Sequence, residues 1–320
     1  MNKSKINSEI THGNFGLERV LKEMAGEIGV GFVGNAYFVI PSTKSYLTDF
    51  LNRYQQSYSD GSLAVYVDTG NGAAIQTAIT ATKGGRGDCI FVLPGTYTLA
   101  TAIDMTGRSS TRLMAVNGPM YEVGSTTAVY LIQGGNYANV IMSANSELSG
   151  FAIKNKSGYS AVTIPANIFS TNIHNNYFMV VAGAAINIID ASASGANKMG
   201  RIHHNRFYTE VTGALTSMIW IAEGYASDVD HNEISISGGT VDAGIVNLST
   251  GGLTNYNIVS EGGGVGSAVI TTAITIDDAG TAIGNRCAVG TGQAFSGGTA
   301  EHSFVDNRDG ASGGATPVQD

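Results

Sequence analysis

One six-residue pattern returns seven times along the chain and limits its fold more than any other feature. The copies are Leu148-Ser-Gly-Phe-Ala-Ile153, Ile173-His-Asn-Asn-Tyr-Phe178, Ile202-His-His-Asn-Arg-Phe207 and Val229-Asp-His-Asn-Glu-Ile234, followed by Leu253-Thr-Asn-Tyr-Asn-Ile258, Ala282-Ile-Gly-Asn-Arg-Cys287 and Phe304-Val-Asp-Asn-Arg-Asp309. Their starts lie 22 to 29 residues apart, with a mean of 26. The fourth place is asparagine in five of the seven, as Asn176, Asn205, Asn232, Asn285 and Asn307. First and sixth places are mostly apolar. A period in the twenties built on short apolar segments is the mark of a solenoid. A leucine-rich repeat of similar period would show several leucines per copy, and these copies do not. The fold read from the pattern is all-β: a right-handed parallel β-helix, one coil per repeat.

The apolar first and sixth places are expected to face inward on either side of a bend. The asparagine between them is expected to take the left-handed conformation of that bend. Its amide would bond the amide of the next coil, giving an asparagine ladder down one corner of the stack. Glycine pairs such as Gly238-Gly239 and Gly251-Gly252 would turn other corners. At this period the stretch from Cys89 to Asn307 holds about eight coils, a rod of roughly 40 Å.

Composition agrees and excludes the alternatives. Glycine fills 43 of 320 positions, proline only 5, and no Gly-X-Y period exists, so collagen is excluded. With 43% hydrophobic residues there is enough apolar material for a core, which argues against disorder. The charged fraction of 13% is too low for a coiled coil. The formal charge of −8 and the lack of a basic stripe argue against nucleic acid as a partner. No run of eighteen apolar residues marks a membrane span, and the N-terminus shows no apolar signal core. Cys89 and Cys287 have no metal-ligand spacing and read as two buried free thiols.

Three regions follow. Residues 1–61 form a small mixed α/β segment in which Leu17, Val20, Leu21 and Met24 make one helical stripe and Tyr46, Phe50 and Tyr54 a second. Between them Tyr37–Ile40 reads as a strand. The stripes are expected to anchor the chain to a partner, because the segment is short for an independent core. Residues 62–309 carry the β-helix, opening with a strand at Ala64–Val67 and a capping helix at Ala73–Thr82. Residues 310–320 read as a flexible tail.

The opening residues carry a resemblance. Ile75-Gln-Thr-Ala-Ile79, Gly84-Gly-Arg-Gly-Asp88 and Ile90-Phe-Val-Leu-Pro-Gly-Thr-Tyr97 resemble the start of pectate-lyase-like β-helix proteins, the pectin lyase fold. There a short helix caps the first coil and a Pro-Gly-Thr-Tyr turn opens the helix proper. The resemblance covers about residues 62–308 and bears on fold more than on activity. A short helical N-terminus before the cap is similar to β-helix proteins of tailed phages. It implies a structural virion protein, a capsid decoration or cement protein or a spike, made in the host cytoplasm. Its partners would be major capsid or tail proteins, with self-association as a homotrimer and a possible surface glycan. No cofactor is implied.

Chemistry is sparser. The best acidic group is Glu223, Asp228 and Asp230, the last two sharing one face of a strand. In a polysaccharide lyase or glycoside hydrolase they would line one groove; a solvated coil edge is the plainer expectation. His204 is expected to stack on His231 at the bend, with Asn175 below and Asn255 above. Adjacent histidines without a third ligand at metal spacing read as hydrogen-bonded turn residues rather than a metal site. Arg206 and Glu233 are expected to pair across coils, the other basic residues between 113 and 285 showing no acidic partner one coil away. Asp104 is expected to pair with Arg108 or Arg112. Trp220 is either core or a lone sugar platform, and the chain reads as a non-enzyme.

Overall fold

The computed structural model describes residues 34–44, 63–116, 128–156, 158–181, 186–191, 200–209, 213–261, 269–277, 279–289, 293–297, 304–305 and 307–309. The chain is a right-handed parallel β-helix of three sheets, with one α-helix among the described residues. From Cys89 to Gly297 each circuit visits the first, second and third sheet in turn. The circuit through Arg201–His203, Arg206–Thr209 and Ala214–Ile221 is typical. Each of its strands pairs in parallel with the strand one circuit before and one after. Among the described residues the first sheet holds 11 strands, the second 9 and the third 8.

The apolar first and sixth places face inward as the pattern requires. Ile173, Phe178, Ile202, Phe207, Val229 and Ile234 are all buried. The rings of Phe178 and Phe207 stack with centroids 4.6 Å apart and planes within 9°. Parallel strands repeat at ~4.8 Å, so identical side chains one circuit apart meet face to face. That continuous column of apolar contacts is the core.

Ala73–Ala81 closes the N-terminal end, burying Ala74, Ile75, Ala78 and Ile79. Its start is set by the buried Asp68 carboxylate. Asp68 Oδ1 accepts the backbone N–H groups of Gly70, Asn71 and Gly72, at 2.6, 2.9 and 3.2 Å, and Oδ2 accepts that of Ala74 at 2.9 Å. Gly72 sits at φ 75, and a Cβ there would lie 2.4 Å from Leu99 Cδ2. The left-handed conformation favours glycine, and a larger residue would also have to displace the Leu99 side chain.

The strand read at 37–40 is Ala36–Pro41, an internal member of the first sheet. It lies between Leu63–Asp68 and Cys89–Val92, pairing with both. The N-terminal region thus contributes one strand to the solenoid itself. The anchor residues Leu17, Val20, Leu21, Met24, Tyr46, Phe50 and Tyr54, and the tail 310–320, lie outside the described residues. Among the described residues no helix is long and apolar enough to cross a membrane.

Two details of the repeat differ from the sequence reading. The fifth copy is shifted by one residue: Val229 pairs with Thr254, not Leu253. Thr254 is buried and Leu253 is 38% exposed, so threonine takes the inward place and Asn257, not Tyr256, joins the ladder. The left-handed residue of the bend is also not the ladder asparagine but the residue before it. Asn175, His204, His231 and Tyr256 have φ of 54, 54, 54 and 55°, with Gly150 and Gly284 at the same place. One left-handed residue turns the chain and the next side chain swings beneath the bend into the core wall.

Candidate functional site

The bend between first and second sheets gathers polar side chains into an inner and an outer column. The inner column is Asn176, Asn205, Asn232, Asn257, Asn285 and Asn307, all buried. From Asn205 onward each amide oxygen accepts the backbone N–H and the side-chain N–H of the preceding asparagine. From Asn176 to Asn205 both distances are 3.1 Å, and from Asn285 to Asn307 both are 2.8 Å. Each amide nitrogen also donates to a first-sheet carbonyl, as Asn205 does to Ile173 at 2.9 Å. Phe151 occupies the ladder place one circuit below, where its N–H donates to Asn176 Oδ1 at 3.0 Å. The five predicted asparagines are all present, and Asn257 completes the column.

The outer face carries four of the chain's 6 histidines. His174 and His203 end adjacent first-sheet strands and stack, centroids 4.9 Å apart and planes within 10°. His204 and His231 occupy the left-handed place and stack at 4.9 Å within 2°. The predicted His204–His231 pair is therefore present, with Asn175 below. Above it stands Tyr256, 5.1 Å from His231, rather than Asn255, because of the register shift. His203 and His204 meet nearly edge-on, with their Nδ1 atoms 2.8 Å apart.

Carboxylates and amides orient these rings. His174 Nδ1 accepts from Asn175 Nδ2 at 3.0 Å, so its Nε2–H donates to Glu147 Oε1 at 3.0 Å. That bond, against the opposing effect of burial and aided by the charge of Arg112, holds the Glu147 carboxyl below its ordinary range. His203 Nε2 donates to Asn172 Oδ1 at 3.0 Å, since an amide oxygen only accepts. Burial, reinforced by the charge of Arg201, pushes His203 down to about 4, so the ring is neutral at pH 7.

Asp230 is the centre of the acidic group. It is buried and takes a two-pronged bond from Arg201, Nε to Oδ1 at 2.9 Å and Nη2 to Oδ2 at 3.0 Å. His231 Nδ1 lies 2.9 Å from Oδ2. Burial alone would raise this carboxyl, but the bonds from Arg201 and His231 outweigh it and hold it low. Asp228, two residues earlier on the strand, moves the other way, raised by burial and by the charge of Asp230. Glu223 is exposed, on the link before that strand.

Other pairings refine the sequence reading. Arg206 and Glu233 form the predicted cross-circuit pair, at 2.6 Å. Arg201 does have an acidic partner one circuit away. It stands opposite Asp228 and reaches diagonally to Asp230, which a like-place comparison overlooks. Arg112 pairs with Glu147 at 3.6 Å, while Arg108 bonds the carbonyl of Thr82 and Asp104 Oδ1 accepts from Thr106 N–H. The expected Asp104–arginine pair is replaced by these. Asp88 of the Arg-Gly-Asp tripeptide is buried in its own turn, bonded by Arg86 and by the N–H groups of Asn35 and Lys83. Trp220 lies partly exposed on the third sheet, between Asp190 and Val246. Cys89 and Cys287 are buried and form no disulfide, and the Cys89 thiol is pushed up to about 12 by burial.

Comparison with protein-family models, curated proteins and solved structures finds no match to the chain.

Proposed function

We propose that the chain is a structural body of a tailed-phage virion, a capsid decoration or cement protein or a spike. It projects from the particle, and the residues ahead of Gly34 attach it. The observation that carries this reading is the unbroken asparagine column. Six buried amides tie successive circuits to one another through both backbone and side chain. Such a stack is a stiff post, which suits a load-bearing role. The phage assignment rests on the resemblance of the capping helix and its preceding segment. Trimeric self-association and contact with capsid or tail proteins belong to the same reading.

The test is mass spectrometry of purified particles from cells producing the phage, with the full chain and with a chain lacking residues 1–33. The cut falls before Gly34 because Ala36–Pro41 is an internal strand. The full chain should copurify at fixed stoichiometry, and the shortened chain should fold and stay behind. A full chain absent from particles contradicts the proposal.

A second reading, a tailspike-like polysaccharide lyase or glycoside hydrolase, has one observation in its favour. Asp228 and Asp230 are neighbours whose environments drive their acidities apart, the arrangement that assigns acid and base roles in carboxylate enzymes. Against it, Asp230 is engaged by Arg201 and His231, which suits a structural ion pair. A noncatalytic glycan-binding adhesin would share the post and differ only in what its surface holds.

A further inference from the structure

We propose that His203, His204 and Asp230 form a binding site for one late first-row divalent cation, with Zn2+ as the reference ion. The sequence offers only two adjacent histidines; the next circuit supplies the third ligand. One ligand atom from each of the three residues lies within 4.8 Å of the others. Two imidazole nitrogens and a carboxylate oxygen are the donor set of three-ligand Zn2+ sites that keep a fourth position open.

Three features prepare the site. First, the Nδ1 atoms of His203 and His204 face each other at 2.8 Å. Two imidazole nitrogens on one Zn2+, each at about 2.0–2.1 Å, sit about 3.0–3.4 Å apart, so a small ring rotation opens the gap to a bite. Second, Asn172 Oδ1 accepts from His203 Nε2, which fixes the proton there and leaves the Nδ1 lone pair facing His204. Third, the left-handed backbone of His204 brings a residue adjacent in sequence round to meet His203, instead of placing it on the opposite face of a strand. Asp230 is held by Arg201, which orients the carboxylate and offsets part of its charge. His204 is exposed, so an ion enters from solvent.

A bare hydrogen bond between the two rings is the competing account, and metal titration separates the two. Untagged full-length protein is dialysed to equilibrium against Zn2+ in the presence of excess Mg2+ and Ca2+, and bound metal is counted. The expectation is one saturable Zn2+ per chain at this site, undisturbed by the hard cations. His204→Asn places at the bend the residue found one circuit below, Asn175, and His203→Ser places on the strand the residue found two circuits below, Ser149. Each should weaken binding at least tenfold with the metal-free melting temperature little changed. Asn172→Ala keeps all three ligands and should weaken binding roughly tenfold through the freed ring. With Cu2+ as probe, paramagnetic resonance should show coupling to two imidazole nitrogens in the wild type and one in His204→Asn. Absence of saturable Zn2+ binding, or binding unchanged in both His204→Asn and His203→Ser, overturns the site. Should either histidine variant misfold, the Asn172→Ala titration and the wild-type copper spectrum decide alone.

Discussion

Asn232 and Asn257 are joined twice: Asn257 Oδ1 accepts the backbone N–H of Asn232 at 2.9 Å and its side-chain N–H at 3.0 Å. Asn232 in turn serves Asn205 in the same way, at 3.1 Å for both bonds. Each asparagine from Asn176 to Asn285 is at once a donor to the circuit above and an acceptor from the circuit below. The column is therefore a chain of mutual dependence, and its members differ in value by position.

Asn232→Ala removes the acceptor of Asn205 and the donor to Ile202 O in one step. Leaving buried amide groups without partners costs about 1–3 kcal/mol each, so a loss of roughly 3 kcal/mol is expected. Asn307→Ala breaks fewer bonds at the last described rung and should cost less. Chemical denaturation of the two variants against wild type checks the order.

The left-handed place predicts a different ranking. Asn175 sits at φ 54, where asparagine and glycine are at ease and a β-branched residue is strained. Asn175→Gly should stay within a few tenths of a kcal/mol of wild type, and Asn175→Val should lose about 1–2 kcal/mol. Thermal melts of the pair measure this.

Acid should unfold the protein through its buried carboxylates, Asp88 among them. Burial opposes ionisation there, but bonds from Arg86 and from the Lys83 and Asn35 amides prevail and lower its pKa in the fold. A lowered native pKa means the unfolded chain takes up the proton first. The stabilisation is therefore complete above about pH 4 and is lost as pH falls through the native value. Asp88→Asn should be less stable at pH 7 by about 1–3 kcal/mol and show a smaller further loss on acidification. Melting temperature against pH for both proteins tests the sign.

For the structural reading, incubation with a broad panel of acidic and neutral polysaccharides should release no reducing ends. Turnover by the wild type that disappears in Asp228→Asn or Glu223→Gln would move the protein to the lyase or hydrolase class.

Most of the fold was legible because a parallel stack repeats its chemistry in sequence: Ile173 over Ile202 over Val229 leaves a direct trace. Asn257 was hidden because Leu253 looks like an inward residue, whereas burial of Thr254 sets the register. The left-handed residue was misplaced by one, since asparagine suits both the bend and the ladder. Arg201 reaches Asp230 along a diagonal, and Ala36–Pro41 pairs with strands far along the chain, so neither contact leaves a local sequence signal. Asp230, by contrast, holds the second place of the copy after His203, so the repeat register already set it one circuit away; what the sequence did not show is that the His203 and His204 rings turn their Nδ1 atoms toward each other.

A crystal structure of the full chain, at a resolution that places side-chain amides, tests the central claim most directly. It should show Asn176, Asn205, Asn232, Asn257, Asn285 and Asn307 in one buried column, each amide oxygen from Asn205 onward within hydrogen-bond reach of the asparagine one circuit before. Asparagines dispersed over the surface, or Tyr256 in the column in place of Asn257, would contradict it.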